Sequence, residues 1–106
     1  MAKSKPRPSD PPASVLVLSC PVEIKASDTL RDEDTCGQYN KKETVCRYDP
    51  AMAPQMQRRT VLHELLHTIE HLQALKLKER EVVALETGLF SLLKDNPELV
   101  AWLLEE

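Results

Sequence analysis

A change of hydrophobic period at Asp49-Pro50 constrains this chain more than any other feature. Before it, apolar residues come in short runs or alternate; after it, they recur at helical spacing. Val15-Leu16-Val17-Leu18 is a β-branched and Leu run that reads as a strand. Pro21 interrupts it, and Val22-Glu23-Ile24-Lys25 alternates like a half-exposed strand. Residues 27–35 are acidic and polar and read as a loop. Gly37-Gln38-Tyr39 and Thr44-Val45-Cys46-Arg47-Tyr48 flank Asn40-Lys41-Lys42, which predicts a hairpin turning near Asn40, because Asn tolerates left-handed backbone. Asp49-Pro50 then ends the sheet.

From Pro54 onwards Val61, Leu62, Leu65, Leu66, Ile69 and Leu72 fall on one helical face, and Pro54 suits a first turn. This predicts a helix over about 54–74, a connection over 75–78, and a second helix over about 79–94 with Val82, Leu85, Leu89 and Leu93 as its stripe. Asn96-Pro97-Glu98 signals a short third helix, with Asn capping, Pro in the first position and Glu at the positive end. Leu99, Val100, Trp102, Leu103 and Leu104 would dock it. The expected class is α+β: a small β-sheet, a long helix, an antiparallel return helix and a short C-terminal helix.

The chain has 106 residues, enough for one small domain with a modest core that a bound metal could supplement. Residues 1–12 hold four of the eight prolines among polar and charged residues, which predicts a disordered tail ahead of a domain over 13–106. The net charge of −3 argues against nucleic acid as a partner, and Lys3-Ser4-Lys5-Pro6-Arg7 is too short to reverse that. Three cysteines, Cys20, Cys36 and Cys46, with no C-x-x-C spacing, point neither to a disulfide framework nor to a thiolate zinc site. No apolar run approaches membrane-spanning length and no signal peptide is legible, so a cytoplasmic protein is expected.

His63-Glu64-Leu65-Leu66-His67 lies inside the first helix. Histidines at i and i+4 share one face, one turn apart, where both imidazoles can reach a single ion such as Zn2+. Glu64 beside them is placed to act as general base on a water activated by the metal, and then to deliver the proton to a leaving amine. His71 continues the row, but at 1.5 Å per residue it lies about 12 Å from His63, too far to share the ion, and reads as an exposed histidine. Glu70, one turn past His67, is a candidate to orient that imidazole.

A catalytic zinc site usually takes a third protein ligand. A helix hairpin turning at 76–77 would bring Glu86 level with His67, on an apolar stripe where an unpaired carboxylate is costly. Gly88 nearby would suit close approach of another helix or of the site. Glu86 is therefore the expected third ligand. Glu79, in the first turn of the second helix, is the rival; its other reading is an acid complementing the helix dipole.

His63-Glu64-x-x-His67, eighteen residues, then Glu86 resembles the gluzincin pattern of thermolysin-like and aminopeptidase-like zinc peptidases. Residues 59–69, with Gly88-Leu89-Phe90 and Lys94-Asp95-Asn96-Pro97-Glu98-Leu99, resemble short phage and prophage zinc metallopeptidases of ImmA/IrrE-type layout. Those proteins often carry a small residue where this chain has Glu86, and an acid near Glu79. The resemblance implies a minimal zincin-like fold, zinc, a peptide substrate and a phage or prophage setting. The expected activity is peptide-bond hydrolysis, with an extended substrate pairing to the strand over 44–48; Tyr39 and Tyr48 are candidates for the oxyanion donor, but each reads first as a packed or surface residue. The alternative is a non-catalytic, zinc-stabilised adaptor that binds a phage or host regulatory protein.

Overall fold

The computed structural model describes residues 10–105, so most of the segment read as a disordered tail lies outside the described residues. The chain order is β1 (Ser14–Val17), β2 (Cys20–Ala26), a 3-10 turn (Leu30–Glu33), β3 (Gly37–Asn40), β4 (Val45–Tyr48), α1 (Pro54–Leu72), α2 (Glu79–Asp95) and α3 (Pro97–Leu103). This is the expected α+β layout of a sheet followed by three helices.

The sheet runs β1-β2-β4-β3, with β2 and β4 parallel and the two outer pairs antiparallel. The break between β1 and β2 is not at Pro21. It is a two-residue turn at Leu18 and Ser19, both in left-handed backbone (φ 49° and 66°), which is the turn hand that matches strand twist. Pro21 sits within β2, opposite Leu16, in the part of the strand that β4 does not pair. In the second hairpin the left-handed residue is Thr44 (φ 51°) and not Asn40. Asn40 shapes that turn through its side chain, whose Oδ1 accepts from the backbone N–H groups of Lys42 and Glu43.

Strand alternation builds the core. Val22, Ile24, Cys46 and Tyr48 are buried together, and Val15, Val17 and Tyr39 pack on them with Val61 and Leu65 from α1. Leu30 plugs the acidic loop into the body, and buried Asp49 holds the exit from β4 by accepting from Ala51 N and pairing with Arg31. Thr68, fully buried on α1, donates to Glu64 O and lies 3.6 Å from Cys46 Sγ.

Three helical expectations change. The buried face of α2 carries Val82 and Glu86, whereas Leu85 and Leu93 are exposed. An added Cβ at Gly88 would meet nothing within 4 Å, so this glycine makes no close approach. Asn96 occupies the N-cap position of α3, but its side chain makes no capping bond; its Nδ2 donates back to Leu92 O and closes the end of α2. Accordingly α3 packs on α2 with no buried residue, and Trp102, Leu103 and Leu104 are exposed.

Candidate metal centre

His63 and His67 project from the same face of α1 with their Nε2 atoms 3.2 Å apart. Glu79, the first residue of α2, closes the group: its Oε1 is 2.7 Å from His63 Nε2 and its Oε2 is 3.2 Å from His67 Nε2. Among the described residues, these three together could hold a metal ion. Glu86 is not among them. It faces the opposite side of the His63 ring, where Nδ1 donates to its Oε1 at 3.1 Å, while its Oε2 accepts from Arg59 Nε at 2.8 Å. Glu86, the expected third ligand, thus lies outside the cluster, and its rival Glu79 completes it.

The reason lies in the connection between the helices. α1 ends at Leu72 in a left-handed cap: Ala74 (φ 54°) donates to His71 O and Leu75 N donates to Glu70 O. Residues 75–78 then run back along α1 without helical structure. Extended chain advances about 3.3 Å per residue against 1.5 Å in a helix, so a few residues recover the length between His67 and Leu72. As a result α2 begins level with the histidines, and Glu86 lies about 10 Å further on, beside Arg59.

Glu70 fixes both parts of this arrangement. Its Oε1 accepts from His67 Nδ1 at 3.0 Å and its Oε2 accepts from Leu77 N at 2.8 Å. The Leu77 N–H, followed by His67, holds its carboxyl below the usual carboxylate range. One side chain therefore orients a histidine and pins the segment that delivers Glu79.

With Nδ1 of each ring donating to a carboxylate, the neutral form of that imidazole presents a lone pair at Nε2. Two such lone pairs and a carboxylate converge within 3.2 Å. Three acceptors so close need a proton or a cation between them. Donors held tetrahedrally at about 2.0–2.1 Å from an ion lie about 3.3 Å apart, so the residues fit a metal of that kind.

Glu64 is buried on the sheet side of the triad and lines the same cavity. Burial pushes its carboxyl up, with His63 and His67 opposing and Glu79 adding to the shift. It packs under Gly37, where a Cβ would come within 2.5 Å of Thr60 Cγ2 and 2.9 Å of Glu64 Oε2. This glycine lets the edge strand lie directly on Glu64.

The cavity is a groove along β3. One stretch, about 500 Å3, includes Gly37, Met56, Val83 and the triad; the next, about 720 Å3, includes Tyr39, Lys41, His71 and Lys76, and Glu64 and His67 belong to both. The open edge beside it is β3, because β4 is paired on both sides. Tyr39 is no oxyanion donor, since its hydroxyl lies in the core near Thr68 and Cys46 and burial raises its pKa. Tyr48 is buried in the core cluster.

The roles of Arg59 and Gly37 were missed in the sequence. Arg59 carried a signal, being one turn before His63 on the face that would meet an acid on α2. Gly37 carried none, since its partner is distant along the chain. No helix among the described residues is long and apolar enough to cross a membrane. No protein-family model, curated protein or solved structure matches the chain.

Proposed function

We propose that this protein is a zinc-dependent peptidase. The observation that carries the reading is the convergence of His63 Nε2, His67 Nε2 and a Glu79 carboxylate, with both Nδ1 atoms held by Glu86 and Glu70. Among the described residues no fourth protein donor joins them, which favours an open position of the catalytic kind over a closed structural site. A zinc ion bound there supplies Lewis-acid polarisation of a water and of a scissile carbonyl.

The chain's own residues do the remainder. Glu64 takes the proton of the attacking water and returns it to the leaving amine. Glu86 and Glu70 keep the imidazoles in the tautomer that offers Nε2. The substrate pairs with β3 and not with the strand over 44–48. Asp49 N donates to Cys36 O, so by antiparallel alternation Cys36 and Gln38 bond inwards and the backbone groups of Gly37 and Tyr39 face the open edge. An extended peptide added there crosses Glu64 and the triad. The resemblance to short phage peptidases supports a phage or prophage setting.

The deciding experiment is cleavage of a mixed peptide library by zinc-loaded protein, with Glu64→Gln as control. Zinc retained with hydrolysis lost in the variant is the expected result. Equal cleavage by both removes Glu64 as base; no cleavage by either leaves the adaptor reading in place of the enzyme.

A further inference from the structure

The groove is electrically asymmetric about the triad. At the Gly37 end the exposed walls are Met56 and Val83, and the charges there are matched, Arg59 with Glu86. At the Tyr39 end stand Lys41 and Lys76, with the ring of His71 6.2 Å from that of Tyr39. The two acids of that stretch are committed: Glu64 lies buried beneath Gly37, and Glu70 accepts from His67 and Leu77. Neither lysine is in a contact ion pair with a described residue; Lys41 acts on Glu70 only at longer range. Lys41 follows β3 directly, and Lys76 rises from the α1–α2 connection on the facing wall. A strand added to β3 beyond Tyr39 therefore runs into the stretch that both lysines line.

We propose that the Lys41–Lys76 end of the groove selects a carboxylate in the bound peptide, carried by an Asp or Glu side chain one to three residues from the bond over the triad. This rests on the reading of the groove as a peptide site. A free C-terminal carboxylate offers the same chemistry, and the test separates the two. Exposed pairs are individually weak, so two lysines give a preference of about two- to twenty-fold at low salt. That preference fades as salt shortens the Debye length.

The test uses the full chain with zinc and Glu64→Gln, so that bound peptides survive. A random peptide library is captured at 50 mM and 500 mM salt, once with both ends blocked and once with free C-termini, and the bound fraction is sequenced. Asp or Glu enriched at one position in the blocked library, and lost at high salt, is the expected outcome. In the added pair Lys41→Glu and Lys76→Glu the enrichment passes to Lys and Arg; both sites are exposed, and circular dichroism with zinc content verifies the fold. Enrichment only with free C-termini overturns the side-chain assignment. Enrichment unchanged by the lysine substitutions, or none at all, overturns the proposal. Wild-type protein is run on the same library for cleavage. Acid-selective capture without cleavage sustains the selectivity and sinks hydrolysis; cleavage without acid preference does the reverse; neither capture nor cleavage sinks both.

Discussion

At the residue scale, three carboxylates around two histidines divide the work by which nitrogen they face. Glu79 reaches both Nε2 atoms, whereas Glu86 and Glu70 each reach one Nδ1. Glu79→Ala removes a donor and should weaken zinc by orders of magnitude in a chelator titration; Glu86→Ala should cost about 10–100-fold, the range for a group that orients a ligand. Equal losses would show that Glu86 moves onto the ion. Gly37→Ala should destabilise the fold by about 1–3 kcal/mol in urea melts, because the new methyl meets Thr60 and Glu64. Glu64 yields a pH prediction for the metal-free protein. Its pKa is higher folded than unfolded, so between those two values the native state binds the extra proton and stability falls as pH rises. Glu64→Gln should thus be more stable than wild type at pH 7, with the difference vanishing below its ordinary pKa. A wild-type protein that gains stability against Glu64→Gln across that window would contradict the burial argument.

At the scale of elements, the helices were legible because their periodicity is long, and α1 and α3 also open on proline. The paths of the connections were not. Leu18-Ser19 makes a left-handed turn without the Asn or Gly that would announce it, and Ala74 stands where a helix usually places glycine. The connection over 75–78 and the start of α2 were legible, but not its extended return along α1, so the register of α2 against α1 was read two turns off and Glu86 stood where Glu79 lies; the two histidines were readable and their acidic neighbour was not. Ala74→Gly relieves a left-handed alanine (φ 54°) and should stabilise the protein by about 0.5–1 kcal/mol while leaving zinc affinity unchanged. A loss of stability would mean that the cap of α1 is held by something other than its backbone.

At the scale of the molecule, the sheet and α1 share one small core, and α2 is held to it through Val82, Arg59–Glu86 and the triad itself. The metal would therefore join two halves of the domain, and its binding energy becomes folding energy. At a free zinc concentration a thousand times the Kd, that coupling is worth about 4 kcal/mol. For a domain near this size the midpoint moves about 4–8 °C per kcal/mol, so chelation should lower the Tm by roughly 16–32 °C. His63→Ala should melt at the chelated temperature whether or not zinc is added. The chain after α2 provides the contrast: α3 has no buried residue and packs on α2 alone among the major contacts. Ending the chain at residue 96 should leave the zinc-induced shift intact within a few degrees, because the shift arises where Glu79 meets α1. If truncation removed the shift, α3 and not the triad would be what holds α2 in place.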